Sequence, residues 1–256
     1  MTAVYDTIGR GYTGRRRADP RLAAAIRAAL GEAQSVVNVG AGSGSYEPAE
    51  LAVLAIEPSR EMIRQRPAGA APAVQAVAER LPLADGGVDA ALAVLTLHHW
   101  PDRAAGLAEL KRVARRRVVI VTWDPECKRD FWLTRNYFPA IVELDEAIFP
   151  TLAELEDTFG GLRVAPLPVP HDCTDGFLGA YWRRPEAYLE PAVRLAMSTF
   201  ARIEPAIVAA GLTRLADDLA TGRWDARLGH LRAQSDADLG YRLVVWERGP
   251  EREAAR

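Results

Sequence analysis

Three glycines at alternate positions, Gly40, Gly42 and Gly44, follow the short β-branched run Val36-Val37-Asn38-Val39. A buried strand running into such a loop lets a ligand approach the backbone, because no Cβ intervenes and positive φ costs glycine little. Glu57 lies 17 positions after Gly40 and closes a second apolar run, Val53-Leu54-Ala55-Ile56. A carboxylate at the end of the next strand is where the hydroxyls of a nucleoside ribose would be gripped. Two further groups could move protons: His98-His99, which ends a long apolar run, and His171-Asp172-Cys173-Thr174-Asp175, which sets an imidazole beside two acids. An ordinary imidazole pKa near 6.5 suits general-base work. The plainer alternatives are a packing role for His98, polar lining for His99 and an Asx-capped turn at 171–175.

The elements that would position these residues alternate between strand and helix. Leu22, Ile26 and Leu30 share one face of a helix that starts near Asp19 and stops at Gly31. Strands are expected at 35–39, at 53–57, at 73–77, over the near-continuous apolar run 89–96, and at 118–122, with Asp102 capping a helix between the last two. The segment 46–51 is short and contains Pro48, which reduces the first crossover to a turn. This alternation indicates a parallel sheet with right-handed crossovers. After Trp123-Asp124-Pro125 the pattern becomes helical and aromatic. A strand with three prolines follows at 161–170, placed near a sheet edge, then more helix, then a last strand at 240–247. The reading is one domain over 1–256. It has an arm and helix at 1–34, a ligand-binding core at 35–124, helical cap insertions at 125–160 and 180–235, and edge strands at 161–170 and 240–247.

Composition excludes several classes. The 256 residues are 49% apolar and 26% charged, with a net charge of −2, which gives no broad electrostatic footprint for nucleic acid. Cys127 and Cys173 are too few for a disulfide scaffold and read as reduced thiols. No apolar run reaches the ~20 residues of a membrane helix, and the N-terminus, with Asp6 and Arg15-Arg16-Arg17, lacks a signal peptide's apolar segment. A cytoplasmic monomer or homodimer is expected. His98, His99, His171 and Cys173 show no zinc-type spacing, so no metal is expected.

The glycines miss the dinucleotide fingerprint, which wants the third glycine at 45, where Ser45 stands, and no lysine followed by Ser or Thr forms a phosphate loop. The stretch resembles motif I of class I S-adenosylmethionine-dependent methyltransferases, acid-x-Gly-x-Gly-x-Gly. Ala55-Ile56-Glu57-Pro58-Ser59 looks like that family's ribose-binding segment. The segment Ala76-Val77-Ala78-Glu79-Arg80-Leu81-Pro82-Leu83, with Asp85-Gly86-Gly87-Val88-Asp89, is similar to the adenine-side motif of the branch that includes the quinone-biosynthesis C-methyltransferases. Leu95-Thr96-Leu97-His98-His99-Trp100 resembles the same branch's segment after strand four. The resemblance spans roughly residues 35–122. It departs at Asn38, where the family usually has an acid, at Val77, where an acid often meets the adenine amino group, and at Arg115-Arg116-Arg117, where a Pro-Gly-Gly turn is usual.

The resemblance implies an α/β Rossmann-like fold: a seven-stranded, mostly parallel sheet with helices on both faces, here with a helical cap. It also implies S-adenosyl-L-methionine as cofactor. The residues that would hold it are Tyr12 and Arg16 on the arm, Asn38, Gly40, Ala41, Gly42, Glu57, Pro58, Ala78, Glu79, Leu95 and Thr96. Methyl transfer to the oxygen, nitrogen or carbon of a small organic acceptor would follow, with Trp123, Phe131, Trp132, Phe177, Tyr181 and Trp182 roofing the pocket. His99 and His171, the latter oriented by Asp172 or Asp175, are the catalytic candidates. Two alternatives stay open: a protein that uses this fold without methylating, and a methyltransferase acting on RNA or protein.

Overall fold

Strands that are apolar on both sides can only be stable between two layers, and the sheet follows from that requirement. The computed structural model describes residues 16–249. In chain order the elements are α1 (Pro20–Leu30), β1 (Ser35–Val39), β2 (Ala52–Ile56), α2 (Arg60–Arg64), β3 (Ala73–Val74), β4 (Val88–Val94), α3 (Arg103–Val113) and β5 (Ala114–Trp123). They continue with α4 (Trp132–Asn136), α5 (Pro139–Ile148), α6 (Leu152–Phe159), β6 (Arg163–Pro166), β7 (Val169–Pro170), α7 (Pro191–Arg194), α8 (Pro205–Ala220), α9 (Arg223–Leu228), β8 (Asp236–Ala237) and β9 (Tyr241–Glu247). Seven strands form one sheet in the order β3-β2-β1-β4-β5-β9-β6. The first five of that order pair in parallel, and β9 runs antiparallel between β5 and the edge strand β6.

The period-two alternation of strand side chains divides the core. Val36, Val53, Leu92, Val119 and Val121 face α1 and the cap, while Val37, Val39, Ala91, Val118 and Ile120 face α3 and α6. Each fully buried Val, Leu or Ile contributes about 1.5–3 kcal/mol relative to an exposed one. Helix starts follow local chemistry. Asp19 caps α1, Ser59 caps α2, Asp102 caps α3, and Thr151 with Glu154 forms a reciprocal capping box at α6. Among the described residues no helix is long and apolar enough to cross a membrane.

Three sequence boundaries shift. The third strand keeps two residues of its expected five, ending at Val74. The fifth begins at Ala114, directly on the end of α3, so Arg115, Arg116 and Arg117 lie in the strand. They are accommodated because Arg115 and Arg117 reach Asp89 and Glu247 at the sheet's lower rim. The proline-rich strand expected over 161–170 breaks at Pro166; Val169–Pro170 leaves the sheet and pairs with β8 instead.

The cap extends the core on the α1 face of the sheet. The Trp132 indole N–H donates to the Trp182 carbonyl at 2.8 Å, and its ring meets Tyr137, Tyr188 and Trp224 edge-on. Gly211 on α8 presses against Phe138, so a Cβ there would stand 2.2 Å from the ring. In an ordinary helix Gly→Ala stabilises by up to ~1 kcal/mol. Here Gly211→Ala is expected to destabilise by about 1–3 kcal/mol through overpacking, measured as a lowered denaturation midpoint; an unchanged or raised midpoint would show that the cap yields at this contact.

Candidate functional site

The strand order reverses between β1 and β4, and the crevice at their carboxyl ends is where open α/β sheets bind ligands. The glycine loop forms its floor. Gly40, Gly42 and Gly44 have φ of +70°, +53° and +96°. The Gly40 and Ala41 N–H groups donate to the Ile56 carbonyl, which fixes the loop to the end of β2. The glycines serve different ends. A Cβ on Gly40 would lie 1.9 Å from Thr96 Oγ1, so position 40 is closed by the segment that follows β4. A Cβ on Gly42 would meet only Met62 Cε, at 3.4 Å, so this position borders open space.

Glu57, buried just beyond β2, accepts the Gly42 N–H on one oxygen and the Ser59 N–H on the other, both at 2.8 Å. A carboxylate has about four acceptor sites, which suits an acid at this position to a diol. That geometry, with the space beside Gly42, fits the ribose end of S-adenosylmethionine. Asn38 turns its amide to Glu47, donating at 3.1 Å. Ala78 is buried against Gly106 and Trp100, whereas the Glu79 carboxylate accepts the Asp102 N–H at 3.2 Å at the start of α3. Pro58 lies between Glu57 and the α2 cap. Leu95 takes φ of +50°, a conformation costly for a branched side chain, and lines the cavity described next.

Beyond β4 the chain makes a 3₁₀ turn, Leu97–His99, that turns two imidazoles toward a cavity of about 60 Å³ under the cap. His98 stacks on Phe149 at 4.2 Å between centroids and lies 3.8 Å from the His99 ring. Arg16, Asp145, Trp123 and Tyr241 complete much of the wall. Burial is the main cause that lowers the His99 pKa to about 3, with Arg202 and Arg16 adding to it. The His98 pKa falls well below its usual value, first through burial and then through His99 and nearby arginines. Both rings are therefore neutral at physiological pH.

Arg16 donates from Nε to Asp175 at 2.6 Å, and the Tyr46 hydroxyl donates to the same buried carboxylate at 2.8 Å. The arm, the glycine loop and the segment after β7 thus meet at Asp175. Tyr12 lies outside the described residues.

His171 and Asp172 do not join the site. Because the chain leaves the sheet at Pro166, His171 is not on the strand rim. It is 40% exposed in its side chain, with Nδ1 3.1 Å from the Ser235 carbonyl. Asp172 is 57% exposed and takes the Arg21 guanidinium at 2.7 Å. Asp175, the other acid proposed to orient His171, is committed to Arg16 and Tyr46. Of the aromatics expected over the pocket, Trp123 and Phe177 line it, whereas Phe131, Trp132 and Trp182 are core to the cap. Asp145 and Tyr241 were missed as lining. The available signal for Asp145 was its spacing four residues after Ile141, which sets it on the buried face of the helix, whereas Glu143 and Glu146 lie on the exposed side. Among the described residues no group of three or more His, Cys, Asp or Glu is placed to hold a metal.

The model of a methyltransferase domain family matches residues 37–122. A protein from Anabaena variabilis, assigned as a methyltransferase from an antibiotic biosynthesis pathway, is 31% identical, with 91% of this chain and 98% of that one covered at a TM-score of 0.81. A SAM-dependent methyltransferase of Thermotoga maritima is 17% identical over 90% of this chain and 88% of its own, at a TM-score of 0.52. The [4+2]-cyclase SpnF is 16% identical over 96% and 94%, at 0.53. The last two share the fold alone. No curated protein matches the chain.

The neutral histidines predict acid lability. Their folded-state pKa values are depressed, so below about pH 6.5 the unfolded chain takes up protons that the buried rings refuse, and stability falls as pH drops toward 3. Each ring should contribute a slope of roughly 1.4 kcal/mol per pH unit in that window. Urea unfolding of the wild type and His99→Gln between pH 7 and 4 should give a shallower loss for the variant; parallel curves would mean that His99 is not held neutral.

Proposed function

The chain belongs to the class I S-adenosylmethionine-dependent methyltransferases, and within that family we propose that it methylates a small organic acceptor enclosed between the strand rim and the helical cap. The observation that carries this reading is the cavity beyond β4, walled by His98 and His99 on the rim and by Trp123, Phe149, Phe177 and Tyr241. A small pocket with several aromatic rings in its wall suits a compact acceptor, whereas RNA would need an open basic groove. The Anabaena variabilis protein's assignment to an antibiotic pathway supports an acceptor from specialised metabolism.

In this reading Glu57 takes the ribose hydroxyls. The backbone of Gly40, Ala41 and Gly42, with Asn38, receives the methionine part, and Pro58, Ala78 and Glu79 flank the adenine. Leu95 and Thr96 close the crevice toward the acceptor. S-adenosylmethionine supplies an electrophilic methyl group on a sulfonium when bound. The neutral imidazoles add no positive charge beside such a cation, and His99 can orient an acceptor by hydrogen bonding. A ring with a pKa of about 3 is a weak base. The protein's main contribution is then alignment and exclusion of water, and Arg16, fixed by Asp175, closes the acceptor side.

Three measurements check the reading. Incubating the enzyme and S-adenosylmethionine with fractionated metabolite extracts should release S-adenosylhomocysteine, read by mass spectrometry, in fractions of small aromatic or apolar compounds; release only with RNA or protein would remove the small-acceptor reading. Glu57→Ala should weaken cofactor binding by about 2–3 kcal/mol in calorimetry, the cost of losing hydrogen bonds to a charged group. With an acceptor in hand, His99→Gln should raise KM and leave the pH dependence of kcat between 6 and 9 unchanged; a lost pH limb would restore His99 as the base.

A further inference from the structure

A buried ion pair sits directly beneath the glycine loop. Glu47 and Arg66 meet at 2.6 Å with side chains 7% and 6% exposed. Glu47 uses its other oxygen to accept the Asn38 amide at 3.1 Å. Arg66 donates to the Gly42 carbonyl at 3.3 Å and to the Ala71 carbonyl at 2.9 Å. Gly44 rests on both partners, since a Cβ there would lie 3.2 Å from the Arg66 guanidinium and 3.2 Å from the Glu47 carboxylate.

We propose that Glu47 and Arg66 are positioning residues for the cofactor loop: Glu47 carries the carboxylate that position 38 lacks, and Arg66 fixes the Gly42 backbone from below. The proposal rests on the reading of this crevice as the S-adenosylmethionine site. Two facts carry it. The strand residue two before Gly40 is a neutral amide, and the atom it donates to is a carboxylate, so the charge is displaced by one side chain rather than lost. The second is that Gly42 is held on both sides. Its N–H goes to Glu57 and its carbonyl accepts from Arg66, so the peptide groups flanking it cannot rotate independently of these two side chains. A loop of three glycines has much conformational freedom to lose on binding, and holding it beforehand removes that cost.

The hydrogen bonds define a charge-swap test. In Asn38→Asp, two carboxylates face each other and the amide donor is gone. In N38D/E47Q, the amide N–H introduced at position 47 can donate to the strand carboxylate while its carbonyl accepts from Arg66, so every bond has a partner and the charge stands on the strand. Calorimetry with S-adenosylhomocysteine should show N38D weakened at least about tenfold, with N38D/E47Q recovering to within about threefold of wild type. Replacing both partners by apolar side chains of similar size, E47M/R66M, commonly preserves stability. That double variant leaves the Asn38 amide and the Gly42 and Ala71 carbonyls without these partners, so its thermal midpoint in the absence of ligand should fall modestly while the chain stays folded, and it should bind at least about tenfold more weakly. Should it bind as wild type does, or should N38D/E47Q bind no better than N38D, the proposal is overturned. A wild-type chain that binds neither S-adenosylmethionine nor S-adenosylhomocysteine overturns the cofactor reading and this proposal with it; equal binding by wild type and all variants overturns the proposal alone. If E47M/R66M does not fold, the charge-swap pair decides.

Discussion

Where β1 and β4 lie side by side, connections leave the sheet toward opposite faces, and much of the architecture follows from that divergence. The connection after β1 returns over the face covered by α1, where Tyr46 and Leu51 pack. The helix after β4, α3, covers the other face through Leu107, Leu110 and Val113. The two loops must part without room for a side chain between them: the Thr96 hydroxyl occupies the space that a Cβ on Gly40 would need. The crevice is thus a product of backbone topology, with glycine at the one position where the strands touch. Gly42, by contrast, faces open space, and that is where a ligand can lie.

Around this crevice charge is buried with its compensation already in place. Glu57 holds two backbone N–H groups, Glu47 holds Arg66, and Asp175 holds Arg16 and the Tyr46 hydroxyl. A buried charge without partners would cost several kcal/mol, so these pairings join segments as firmly as apolar packing does. Asp175 is the clearest case. Its partners come from the arm and from the glycine loop, 159 and 129 positions away in the chain, and they draw both against the segment after β7. Burial leaves the imidazoles on the β4 rim neutral. The floor of the crevice is thus rich in committed acids, while its acceptor side sets aromatic rings and neutral imidazoles beside Arg16 and Asp145.

The family resemblance was legible because its motifs are local. A β-branched run followed by three glycines states a strand and a left-handed loop within ten residues, and Glu57 needs only the end of the next strand to be placed. The capping residues Asp19, Ser59 and Asp102 were equally readable, since a cap acts on a backbone N–H two or three positions away. The reading faltered where a short segment had to choose between sheet and departure. The run 161–170 alternates like a strand, but its prolines remove ladder donors, so the sheet takes it only to Pro166, and His171 is carried away from the rim. The arginines at 115–117 stand where the resembled family usually has a turn, and they extend the fifth strand toward acids at Asp89 and Glu247 on the sheet's edge.

The sequence by itself determined the sheet's parallel core, the glycine loop, the acid beyond β2 and the pair of histidines beyond β4. All of these are set by periodicity and by conformational preferences that act over a few residues. Only the tertiary structure decided what those side chains would meet. It gave Asn38 a carboxylate at Glu47, tied Arg16 to Asp175, put Asp145 in the cavity wall, and removed both rim histidines from the range where imidazoles titrate. The reason is physical: a side chain's pKa and its partner depend on which distant segments exclude water around it, and that is fixed when the cap and the sheet pack together.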